Sequence, residues 1–156
     1  MNFVEIYLCS LCYNNIYEVK MKKEIVIKDI YSFNLSYTKG YSINSNIRYE
    51  MIFDKEKNKY IAKIKPYGVL EKDKKEIVVD NDKIIELGNI LKKYHVEKWD
   101  GFNKLAKDVL DGDSFYLSVF MNDNNSIHAS GYMIWPDGYK DFISKIDEFF
   151  MNIYNK

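Results

Sequence analysis

This 156-residue chain has a single arginine, Arg48. Arginine supplies the bidentate fork that reads guanine and clamps phosphate. Its near absence, with 23 basic residues balanced by 23 acidic ones, argues against a nucleic-acid binder driven by phosphate neutralisation. Two cysteines are too few for a disulfide framework. The seven glycines are scattered, so neither a P-loop nor a dinucleotide fingerprint is present. No apolar run approaches the roughly eighteen residues of a membrane-spanning helix. The two histidines, His95 and His128, stand far apart and alone.

Both cysteines, Cys9 and Cys12, fall in residues 1–20, which match neither the polarity nor the periodicity of the chain from Met21 onward. A redox pair at this spacing opens a helix after a strand, and a zinc site needs two more ligands. Neither context is readable, so chance placement is the simpler account. The segment lacks the basic lead and small-residue cleavage site of a secretory signal. Residues 1–20 therefore read as an extension, residues 21–156 as one domain, and the compartment as the cytoplasm.

Tyrosine is abundant, at 14 residues, and each ring joins a large apolar surface to a hydroxyl that wants a partner. Charge is unevenly spread. Residues 55–75 carry a local basic excess, and residues 108–137 hold five aspartates without a lysine or arginine.

Alternation marks the strands. Phe33, Leu35 and Tyr37 share one face and Ser32, Asn34 and Ser36 the other. A strand near 45–53 turns through Asp54-Lys55-Glu56-Lys57-Asn58 into another at 59–65, and a short one comes next at 76–79. The period then changes. Ile84, Leu87, Leu91 and Tyr94 form the stripe of a helix over 82–95, headed by Asp80-Asn81-Asp82. Residues 96–113 show no period and read as a long connection. A second hairpin occupies 114–135, with Phe115, Leu117 and Val119 facing Gly131, Ala129 and Ile127. A final helix over 137–154 turns Phe142, Ile146, Phe149, Phe150 and Ile153 inward and Lys145, Asp147 and Glu148 outward. These elements predict an α+β fold: one antiparallel sheet of about five or six strands, with two hairpins, and two helices packed on one face.

Candidate chemistry is sparse. Asp108, Asp111 and Asp113 bracket Gly112, and hard cations favour such oxygen clusters, yet the spacing departs from a calcium loop and an Asp-Gly turn accounts for it. His128 shares a strand face with Ser130 and Tyr132, without a readable nucleophile or orienting group. Trp99-Asp100-Gly101-Phe102, with Trp135, offers large rings beside a turn. Such rings serve either as binding anchors or as pins that fix a long loop to the core.

As a set, Trp99-Asp100-Gly101-Phe102, Val109-Leu110-Asp111-Gly112-Asp113-Ser114-Phe115, Ala129-Ser130-Gly131-Tyr132 and Pro136 with Tyr139 resemble a family of uncharacterised bacterial proteins common in clostridia and other gut anaerobes. Ile61 to Gly68 is similar to the family's upstream part, so the resemblance covers about residues 31–154. It implies no activity. Some members look secreted or lipid-anchored, and their leader is not recognised here.

The expected function is that of a non-enzymatic protein- or ligand-binding domain using Trp99, Asp100, Phe102 and Trp135, without a cofactor, nucleic acid or membrane span. The alternative is a small metal-dependent hydrolase built on Asp108, Asp111, Asp113 and His128.

Overall fold

In a computed structural model, which describes residues 24–40 and 44–156, the alternating segments pair into one sheet and the two periodic segments lie across it as helices. The strands are β1 (Ile30–Thr38), β2 (Asn46–Asp54), β3 (Lys59–Lys65), β4 (Lys75–Val79), β5 (Phe102–Leu105), β6 (Ser114–Met121) and β7 (Ser126–Tyr132). The helices are α1 (Asn81–Lys93) and α2 (Tyr139–Tyr154). In space the strands run β4-β3-β2-β1-β6-β7-β5. Residues 1–20, with Cys9 and Cys12, lie outside the described residues.

The sheet corrects the sequence reading in two respects. It has seven strands, and it is mixed, because β5 runs parallel to β7 at one edge. β5 arises inside the stretch read as a connection, after a short turn of helix at Val96–Trp99. It was illegible because Asn103, Lys104 and Leu105 are exposed and only Phe102 is half-buried. An edge strand so short has no buried face to impose a period of two. The register Phe115↔Gly131, Leu117↔Ala129 and Val119↔Ile127 is as expected. However, β7 ends at Tyr132 rather than at 135. Met133 turns to positive φ, and its N–H donates to the Asp113 carbonyl at 2.9 Å.

One face of the sheet is apolar. Phe33, Leu35, Tyr49, Met51, Ala62, Ile64, Leu117, Val119 and Ile127 are fully or nearly fully buried there. α1 delivers Leu87 and Leu91 to this layer; α2 delivers Phe142, Ile146 and Phe150. Phe150 stacks on Tyr49 with centroids 4.6 Å apart and on Phe33 at 5.9 Å. Emptying such an aromatic site costs about 3–5 kcal/mol, which ties the register of α2 to that of the sheet. The other face stays uncovered by helices. Across it the register aligns Glu76, Lys63, Glu50, Asn34, Ser118 and His128 in one polar row.

Gly131 shows how closely β7 and the turn after it approach. A Cβ there would lie 2.2 Å from the Ile134 carbonyl oxygen and 2.6 Å from the Phe115 ring. The missing side chain lets residues 134–136 fold back over β6 and deliver Trp135 to the helix side of the sheet.

Candidate functional site

The aromatic residues singled out in the sequence come from two distant segments, and the fold gathers three of them around one groove. Trp99, Phe102 and Trp135 line a cavity of about 610 Å³ between the Val96–Trp99 turn, β5 and the 135–138 segment. They do not contribute equally. Trp99 is only 5% exposed and packs edge-on against Phe142 at 5.0 Å, so it is a wall of the groove and a part of the core. Phe102 is half-buried against Phe115. Trp135 is 36% exposed and stacks on Tyr139, which makes it the ring most open to a partner.

Asp100 has a different role from the one expected of a surface anchor. Its Oδ1 accepts the backbone N–H of His128 at 3.1 Å, and the next N–H, of Gly101, donates to the His128 carbonyl at 2.9 Å. Gly101 adopts φ 78°, a left-handed conformation that suits glycine. The Asp100-Gly101 turn thus fastens the start of β5 to β7 and holds Phe102 in register with Ala129.

Three lysines, Lys93, Lys98 and Lys104, also line the groove, with Asp137 the one acidic residue among its lining. The Lys104 ammonium stands 5.2 Å from the Phe102 ring centroid, and that of Lys93 stands 5.7 Å from the Tyr94 ring. His95, where α1 ends in a left-handed turn, places its Nδ1 3.3 Å from Glu97. Sequence reasoning missed the lysines because nothing marks them locally; only the return of the chain at 135–138 turns scattered cations into a rim.

The aspartate run does not converge. Asp108 and Asp111 are exposed, while Asp113 turns toward α2 and accepts the Gly40 N–H at 2.9 Å. His128 projects from the uncovered face of the sheet, edge-on to Phe120 at 5.2 Å. Asp113 and His128 therefore occupy opposite sides of the sheet. Among the described residues, no three of His, Cys, Asp and Glu come together as a metal-binding group.

A second arrangement went unread in the sequence. Asp147 was expected to face outward, but it stands one residue after Ile146, at the margin of the apolar stripe, and turns toward β1 and β2. Its Oδ1 accepts the Tyr49 hydroxyl at 2.9 Å and also the hydroxyl of Tyr37. Both phenols are pushed far above their ordinary pKa of 10.0. Burial is the main cause for each, followed by the carboxylate of Asp147. Tyr139 is raised likewise, by burial first and then by Asp113 and Asp147. The Tyr37 and Tyr49 hydroxyls act as donors to Asp147. The signal available in the sequence was the pair of inward-facing tyrosines, each needing an acceptor within an otherwise apolar layer.

No protein-family model matches this chain, and no curated protein matches it. Among the described residues, no helix is long and apolar enough to cross a membrane.

Proposed function

We propose that the protein is a non-enzymatic binding domain that holds an acidic segment of a partner protein, bearing an aromatic or large apolar side chain, in the groove beside Trp135. One observation carries this reading: three rings from two separate segments of the chain meet in a concavity lined by three lysines and a single aspartate. Aromatic anchors at a partly desolvated centre supply affinity, and a rim of one charge sign selects and steers the partner. The reading needs no cofactor. An oligonucleotide is the less suitable occupant, since the chain as a whole carries no net positive charge and has one arginine, remote from the groove. The alternative, a metal-dependent hydrolase using Asp108, Asp111, Asp113 and His128, draws no support from side chains that project from opposite faces.

Selection from a random peptide display library tests the proposal. Enriched peptides are expected to combine acidic residues with an aromatic, and to lose binding to a Lys98→Glu, Lys104→Glu double variant. Enrichment of basic peptides, or tighter binding of single-stranded DNA than of any selected peptide, would overturn it.

A further inference from the structure

The cavity on the opposite side of Trp135 supports an inference independent of the groove. It has a volume of about 400 Å³ and lies between the end of β1, the start of β6 and α2. That volume suits a small ligand. Two carboxylates from distant elements line it: Asp113, before β6, and Asp147, on α2. Each is anchored by neutral donors, Asp113 by the Gly40 N–H and Asp147 by the hydroxyls of Tyr37 and Tyr49. Such donors fix the carboxylates in place without cancelling their charge. Lys39 and Lys140 border the cavity, yet neither carboxylate is in an ion pair among the described residues. Trp135 and Tyr139, stacked with their planes 13° apart, complete the wall.

We infer that this cavity binds an organic cation, a quaternary or methylated ammonium group, between Asp113 and Asp147 and beside the Trp135 ring. The chemistry distinguishes this occupant from a metal ion. A hard cation draws six or more oxygen ligands, several of them charged, whereas this cavity presents two separately anchored carboxylates and an aromatic wall. A diffuse, weakly hydrated ammonium is suited by that combination: ring faces attract it through their quadrupole, and carboxylates at the margin balance its charge without direct coordination. Tyr37 and Tyr49 act as positioning residues, since their hydroxyls hold Asp147 at the cavity.

NMR of the tryptophan indole N–H groups, titrated with choline, tests the inference. Its comparator is the neutral isostere in which carbon replaces the choline nitrogen. Choline is expected to shift the Trp135 indole saturably and the isostere to leave it unmoved. Asp113→Asn should weaken choline binding about tenfold. Asp147→Asn, which keeps an acceptor for both phenols, should weaken it similarly while the protein still melts cooperatively. The Lys98→Glu, Lys104→Glu variant should bind choline as the parent does, which separates this site from the groove. Equal shifts from choline and its isostere, an unresponsive Trp135, or unchanged affinity in the Asp113→Asn, Asp147→Asn double variant would overturn the inference.

Discussion

Trp135 lies flat on Tyr139, with centroids 4.8 Å apart, and so divides the helix-side surface into a lysine-lined groove and a cavity lined by Asp113 and Asp147 together with Lys39 and Lys140. The stack is a surface feature on a rigid base, because Tyr139 is itself packed against Phe115 at 4.7 Å. The two tryptophans should therefore separate in stability measurements. Trp135→Ala, at a 36% exposed position, is expected to cost about 1 kcal/mol, in the range of an aromatic pair. Trp99→Ala, at 5% exposure, should cost about 3–5 kcal/mol. Urea titrations followed by circular dichroism give both values, and comparable losses would contradict the assignment of Trp99 to the core.

Asp147 accepts the hydroxyls of both Tyr37 and Tyr49. Asp147→Ala leaves both phenols without that partner in a layer where each ring is almost wholly buried. An unsatisfied buried donor costs about 1–3 kcal/mol, so a loss of about 2–5 kcal/mol is expected. Asp147→Asn should recover most of it. A double-mutant cycle with Tyr37→Phe checks the partnership; additive losses would mean that the two side chains act separately.

The same tyrosines set an alkaline limit. Their folded-state pKa values are raised, so in the unfolded chain they release protons near 10.0 while the native state holds them. Stability is thus at its plateau below about pH 10 and falls as pH rises above it, because the unfolded state alone gains by ionising. Ultraviolet titration of the phenolates is expected to leave Tyr37, Tyr49 and Tyr139 un-ionised until a cooperative unfolding step. Smooth ionisation of all fourteen tyrosines near pH 10, with the fold intact, would contradict the burial of these hydroxyls.

Two glycines make opposite predictions under the same substitution. A methyl at Gly131 meets the Ile134 carbonyl, so Gly131→Ala should destabilise by about 1–3 kcal/mol through forced backbone shifts. Gly88 lies within α1, where an added Cβ finds only the Ile30 methyl at an ordinary 3.5 Å. Gly88→Ala should therefore stabilise by about 0.5–1 kcal/mol through helix propensity. Thermal melts of the pair decide both.

Long-range pairing was legible wherever a segment has one wet and one dry face. β1, β2, β3, the β6–β7 register and both helices follow from the alternation of residues such as Phe33 and Asn34, or from the stripe Phe142–Ile146–Phe150. The sheet edge was not legible, because β5 is defined by one neighbour and by the Asp100-Gly101 turn rather than by its own pattern. The site was half legible. Trp99, Phe102 and Trp135 drew attention by size, but Lys98, Lys104 and Asp147 gain meaning only from tertiary neighbours. Asp147 in particular sits where helical period alone cannot decide between solvent and core; two phenols reaching down from the sheet decide it.

The most direct test of the binding reading is NMR of the two tryptophan indoles during titration with an acidic, aromatic-bearing peptide from the display selection. Both Trp99 and Trp135 are expected to shift together and saturably, with affinity that falls as salt rises and is lost in the Lys98→Glu, Lys104→Glu variant. Still indoles, with shifts gathered instead around Tyr116, Phe120 and His128 on the uncovered face, would contradict it.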